Sequence, residues 1–233
     1  MSFIELPINY DKIQAVLFDI DGTIYSQKRL RRRLVVSLGW SLIIGKLSLK
    51  ELSIISLFRR NRERHIGSIG VHEVQKMEFH KVAEELGVTE EVVCDCIRYW
   101  MFEYPLPIIR QYRFSNILEF LELLERRGVK VGFFSDYPVR DKLQALGMAN
   151  MVGLCSTSPG VDSLKPDPKG LIALCRQLEV DPKECLYIGD RVELDGECAK
   201  RAGMPYLIIG GKRGINTSFS SYEQLVRVFS QNM

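Results

Sequence analysis

The residues best equipped for chemistry fall in a few short stretches. Asp19 and Asp21 are separated by one residue and followed by Gly22 and Thr23; Ser135 and Asp136 close an apolar run; Asp190 and Asp195 stand five apart; and Lys165 lies in the segment Ser163-Leu164-Lys165-Pro166-Asp167-Pro168. Carboxylates brought together repel one another and attract a cation, and hard oxygen ligands with room for water suit Mg²⁺. A phosphate held at that cation carries charge that Lys165, the Ser135 hydroxyl and backbone N–H groups at helix starts can balance. A carboxylate can attack phosphorus to give an aspartyl-phosphate. A second carboxyl two residues away can protonate the leaving oxygen and later take a proton from water.

Each piece taken alone also has a structural explanation. Asp19-Ile20-Asp21-Gly22 has the composition of a turn in which Asp bonds its own backbone, and its Gly22 comes too early for an EF-hand calcium loop. Ser135 or Asp136 ahead of Pro138 reads as a helix start, Asp190 as an N-cap, and Lys165 as a solvated lysine before another helix start. Capping and anion binding use the same helix ends, so these readings are compatible with function. They do not account for the pieces recurring in order at successive strand ends.

Those strand ends follow from the hydrophobic pattern. Ile13 to Phe18 is a short apolar run ending at Asp19, Val129 to Phe134 ends at Ser135, Met151 to Cys155 is a further run, Cys185 to Ile188 ends at Gly189 and Asp190, and Tyr206 to Ile209 is the last. Helical patterns lie between and after them, at Phe114–Arg127, Pro138–Leu146, Pro168–Leu178, Glu193–Ala202 and Tyr222–Phe229. Strands alternating with helices predict a parallel sheet covered on both faces, and ligands of such sheets sit beyond the carboxyl ends of the strands. The block from Leu30 to Ile109 has no convincing strand. It reads as helical from Leu30 to about Phe58, from Val71 to Leu86, and again from Thr89. The predicted fold is therefore α/β, a doubly wound parallel-sheet, Rossmann-like core of residues 1–25 and 110–233, with an all-helical insertion at 26–109.

Composition sets outer limits. The chain has 233 residues, 46% hydrophobic and 26% charged, with a net charge of +3. That is a soluble globular composition, and the charge alone does not argue for nucleic acid. The six cysteines match no zinc spacing and are expected as reduced thiols in a cytoplasmic protein. His65, His72 and His80 carry no metal spacing and are expected at the surface. The segment MSFIELPINYDK lacks the pattern of a signal peptide, and the apolar stretch Leu34 to Gly45 is shorter than the roughly 20 residues that span a bilayer.

Four motifs in order resemble those of the haloacid dehalogenase superfamily, in its phosphoglycolate-phosphatase-like branch. Asp19-Ile20-Asp21-Gly22-Thr23 resembles its DxDGT motif, Phe133-Phe134-Ser135-Asp136 its second motif, Lys165-Pro166-Asp167-Pro168 the lysine motif, and Gly189-Asp190-Arg191-Val192-Glu193-Leu194-Asp195 the GDxxxxD motif. The resemblance implies Asp19 as nucleophile and Mg²⁺ ligand, and Asp21 as general acid/base with its backbone carbonyl on the metal. Ser135 and the Asp136 N–H would hold the phosphoryl oxygens, and Lys165 would neutralise charge on nucleophile and phosphate. Asp190 would complete the metal site, supported by Asp195 directly, through water or through Lys165. Dehalogenases of the superfamily lack a carboxylate at the place of Asp21, so the implied activity is phosphate-monoester hydrolysis or the closely related phosphomutase reaction. A membrane- or partner-binding module that keeps the fold without turnover is the reading from another class.

The resemblance also makes the insertion a cap that closes over the site and reads the leaving group. From Ser26 to His65 there are eleven Lys and Arg against Glu51 and Glu63, flanking the apolar stretch Leu34 to Phe58. Three readings follow: a buried helical hairpin with basic ends, an amphipathic surface for anionic lipid headgroups, or arginines that enter the site and bind a second anionic group. The substrate is accordingly a small phosphorylated molecule whose leaving group is anionic or apolar, such as a lipid-like phosphate. Peripheral membrane contact through the basic cap stays open, and no nucleic acid is expected.

Overall fold

In a computed structural model that describes residues 8–64, 71–211 and 217–232, six parallel strands form one sheet. They are β1 (Ala15–Phe18), β2 (Lys130–Ser135), β3 (Val152–Cys155), β4 (Cys185–Gly189), β5 (Tyr206–Ile209) and β6 (Ser218–Phe219), in the order β3-β2-β1-β4-β5-β6. Chain order runs outward in both directions from β1, so the crevice of a doubly wound sheet opens at its carboxyl end. Register sets what gathers there. Phe18 is level with Phe133 on one side and Ile188 on the other. The residues that follow, Asp19, Ser135 and Asp190, therefore emerge at one edge.

Both faces of the sheet are covered, as the unbroken apolar strands require. Side chains alternate across a strand. Val16 and Phe18 join a core with α6 (Ile117–Arg126), α7 (Arg140–Ala145) and α10 (Tyr222–Asn232). Ala15 and Leu17 join a second core with α8 (Lys169–Leu178) and α9 (Glu197–Ala202). Phe18 stacks on Phe133 with centroids 5.5 Å apart, which locks β1 against β2 beneath Asp19.

Between β1 and β2, ahead of α6, the described residues form five helices: α1 (Gln27–Ile43), α2 (Leu49–Arg64), α3 (Val71–Leu86), α4 (Glu90–Ile97) and α5 (Leu106–Ile109). They hold their own apolar cluster, with Ile54, Phe58, Val82, Val93, Ile97 and Trp100 at its centre. The crossings into and out of this block lie side by side: Ser26 N–H donates to the Tyr112 carbonyl at 2.9 Å and Phe114 N–H to the Ile24 carbonyl at 3.0 Å.

The structure differs from the sequence reading in three respects. The stretch read as helical from Leu30 to about Phe58 is two helices, with a break that the reading did not locate, where Gly45 adopts φ +72° and Ser48 accepts from Glu51 N–H as a cap. The apolar stretch is not uniformly buried: α2 buries Ile54, Ile55 and Leu57, while α1 leaves Val36, Trp40 and Ile43 exposed. A two-residue strand, β6, was too short to leave a periodic signal. The six cysteines are free thiols, with Cys175 and Cys185 sulfurs 3.5 Å apart in the second core. His80 is exposed and pairs with Glu90; His65 and the side chain of His72 lie outside the described residues. No described helix is long and apolar enough to cross a membrane.

Candidate active site

The segment after β1 is held from below and behind. Ile20 and Ile24 are fully buried and anchor it in the first core, and the Tyr222 hydroxyl of α10 donates to the Thr23 carbonyl at 2.9 Å. The Asp19 carboxylate is thereby fixed at the sheet edge, nearly buried. The Thr23 hydroxyl donates to its Oδ2 at 3.0 Å, and Lys165 Nζ donates to its Oδ1 at 2.5 Å. A solvated lysine at position 165 is thus excluded, since its side chain is 5% exposed.

Lys165 is the hub of the acidic cluster. Its Nζ also donates to Asp195 Oδ1 at 2.7 Å and lies 3.4 Å from the Tyr187 hydroxyl, which itself donates to Asp195 Oδ1 at 3.1 Å. The other oxygen of Asp195 accepts the N–H groups of Asp190 and Arg191, at 3.1 and 3.0 Å. Asp195 is therefore the residue that caps the turn after β4, and Asp190 is not its N-cap. This fold-back requires Gly189, where a Cβ would sit 2.3 Å from that of Asp195. Carboxylate oxygens of Asp19, Asp190 and Asp195 come within 4.8 Å of one another. Gly22, at φ +101°, lets the first loop approach Asp190, because a Cβ there would lie 2.1 Å from Asp190 Oδ2.

The side chains of the second motif are held by their neighbours. Ser135 Oγ donates to Asp21 Oδ2 at 3.3 Å and accepts from Tyr137 N–H. The Asp136 side chain turns back and accepts the Lys165 N–H at 3.0 Å, holding the lysine loop. Asp21 is bound on both oxygens. The Tyr25 hydroxyl donates to Oδ1, and Lys142 Nζ, from α7, to Oδ2 at 2.5 Å. Its carboxylate stands apart from the Asp19–Asp190–Asp195 group.

A haloacid dehalogenase-like hydrolase family model matches residues 13–203. The chain belongs to that family. With it the chain falls among phosphatase-type hydrolases, as the four motifs imply. It is 28% identical over 209 residues to a glyceraldehyde 3-phosphate phosphatase of Methanopyrus kandleri, covering 82% of each chain. It is 26% identical over 204 residues to an N-acetylmuramic acid 6-phosphate phosphatase of Pseudomonas putida, covering 82% of this chain and 80% of that one. A haloacid dehalogenase-type phosphatase from Thermococcus onnurineus shares the fold with a TM-score of 0.58 at 20% identity, over 93% of this chain and 97% of that one.

Electrostatics separate the family's acids into two kinds. Burial, opposed by Lys165, pushes Asp19 well above the usual carboxylate range, with Asp195, Asp190 and Asp21 adding to the rise. Burial and then Asp195 push Asp190 up to about 7. Asp195 is the opposite case: burial would raise it, but Lys165 and the two backbone N–H groups hold it below the usual range. Asp21 is likewise held low against its burial by Lys142 and Tyr25. The donor set of hard carboxylate oxygens from Asp19, Asp190 and Asp195, within 4.8 Å of one another, fits a divalent cation such as Mg²⁺.

The sequence did not single out Lys142, Tyr25, Tyr187 or Arg62. Arg62 of α2 is buried, donates to the Asp136 carbonyl at 3.0 Å, pairs with Glu78 at 3.4 Å and lies 4.5 Å from the Tyr137 ring centroid. It ties the helical insertion to the second-motif loop. Of the eleven basic residues in that stretch, Arg31 and Arg59 line the cavity between insertion and sheet.

Proposed function

We propose that the protein hydrolyses small phosphate monoesters in a Mg²⁺-dependent reaction that passes through a phosphoryl group carried on Asp19. The observation that supports this most strongly is the Lys165 hub, with its Nζ 2.5 Å from Asp19 and 2.7 Å from Asp195. A buried lysine so placed neutralises a nucleophilic carboxylate and, as charge accumulates, the phosphoryl group joined to it. Thr23 and Lys165 hold opposite oxygens of Asp19, so its orientation is fixed before substrate arrives.

On this reading residues 26–109 form the cap and residues 1–25 with 110–233 the catalytic core. Asp19 and Asp190 hold the cation, joined by the Asp21 carbonyl, and the bound ion supplies charge neutralisation at the phosphoryl oxygens. Asp19 forms a bond to phosphorus as the ester P–O bond breaks, and Asp21, once protonated, gives that proton to the leaving oxygen. Water then attacks phosphorus, Asp21 takes its proton, and Asp19 is released with inorganic phosphate. Ser135 and Lys142 flank Asp21 and, with the Asp136 N–H, would meet phosphoryl oxygens, while the Asp136 carboxylate positions the Lys165 loop. The relatives named for triose and amino-sugar phosphates support a phosphorylated small metabolite as the substrate class.

Steady hydrolysis of p-nitrophenyl phosphate with Mg²⁺, lost in Asp19→Asn, is the expected result. A single stoichiometric transfer without turnover would instead place the protein with phosphomutases.

A further inference from the structure

We propose that the leaving group of the substrate is an extended apolar body, an alkyl or prenyl chain, and not a polyol or a second anion; this rests on the phosphatase reading above. A cavity open to solvent runs from Asp21 and Lys142 into the helical insertion. Asp21, Tyr25, Tyr137 and Lys142 form its inner end, so whatever is esterified to a phosphate held there must occupy the remainder. That remainder is walled chiefly by Leu34, Leu38, Ile55, Trp100, Phe102 and Leu106.

Several of the polar atoms that border it are engaged with neighbours. The Tyr25 hydroxyl is committed to Asp21, and the only polar atom of Trp100, Nε1, donates to Glu51 at 3.0 Å. Beyond the inner end the polar lining is Gln27 and two exposed arginines, Arg31 and Arg59. A sugar or glycerol leaving group would bring several hydroxyls to mostly apolar walls, where Gln27, Arg31 and Arg59 are the polar groups left to pair them, which disfavours binding relative to a hydrocarbon chain. Val35 belongs to this wall and is also 69% exposed. A chain longer than the cavity is thus led onto the exposed apolar face of α1, where Val36, Trp40 and Ile43 lie.

The test is a series of n-alkyl phosphates from methyl to hexyl, kept below their critical micelle concentrations, beside glycerol phosphate and an ω-carboxyalkyl phosphate, with Mg²⁺. Burial of each methylene should raise kcat/KM by about threefold to fourfold, and Val35→Gln should flatten the slope while leaving thermal unfolding unchanged. A flat series, a preference for the polyol or the carboxylated ester, or a gain that appears only above the micelle threshold would overturn the proposal while leaving the phosphatase reading intact. If no ester is hydrolysed, p-nitrophenyl phosphate included, the phosphatase reading falls. Titration with hexyl- and methylphosphonate, followed by Trp100 fluorescence in a Trp40→Phe background, then decides the pocket on its own: tighter binding of the hexyl compound supports it, and equal binding overturns it.

Discussion

Lys142 Nζ lies 2.5 Å from Asp21 Oδ2, so the carboxyl proposed to move protons is held ionised by a lysine of helix α7, outside the four motifs. For Asp21 to carry a proton, that ion pair must loosen, and an arriving phosphoryl group gives Lys142 an alternative anion. Lys142→Met removes the main opposition to burial, so the Asp21 pKa rises. The alkaline limb of the pH–rate profile for an alkyl phosphate should then move to higher pH, with kcat/KM lower by roughly tenfold or more for want of one charge-assisted contact. An unchanged pH profile would show that the pair does not control the acid.

Asp195 offers a test through stability. Its carboxyl is held below the ordinary value, so its contribution is present above the unfolded pKa of about 3.9 and is lost as pH falls through the folded one. In metal-free buffer Asp195→Asn should cost about 2 kcal/mol at pH 7, the scale of hydrogen bonds to a charged group. Urea unfolding of the two proteins should converge as the pH is lowered below 4. A gap that widens on acidification would reverse the assigned sign.

Gly22 is the point where the first loop clears Asp190. Gly22→Ala places a methyl group where the Asp190 carboxylate now lies, at a φ that L-residues adopt with strain. Asp190 must move, and Mg²⁺ affinity measured by calorimetry should fall about 10- to 100-fold, the range seen when groups supporting metal ligands are disturbed. Unaltered affinity would remove Asp190 from the cation site.

The contrast between Asp19 and Lys142 explains what could be read in the sequence. Asp19, Ser135 and Asp190 each end an apolar strand, and parallel strands in register bring such ends to one edge, so local pattern was enough. Lys165 and Asp195 were legible through their motifs, although their bond to each other was open among three possibilities. Lys142 sits in a six-residue helix with no periodic signature, and it reaches Asp21 across 121 residues of chain. Arg62 is one of eleven bases in a basic stretch, and nothing local distinguishes the buried one that grips the Asp136 carbonyl from its exposed neighbours. Likewise the apolar run from Leu34 to Phe58 has no internal mark separating the face of α2 that is buried from that of α1 that is not. Those distinctions arise only when the insertion packs on itself and on the sheet.

Acid quenching of the enzyme during turnover of a phosphate monoester with Mg²⁺, followed by peptide mass analysis, addresses the proposed chemistry most directly. One phosphoryl group on the peptide containing Asp19, absent from Asp19→Asn, is the expected result. Steady turnover with the phosphoryl group on another residue, or with none on the protein at any quench time, would contradict it.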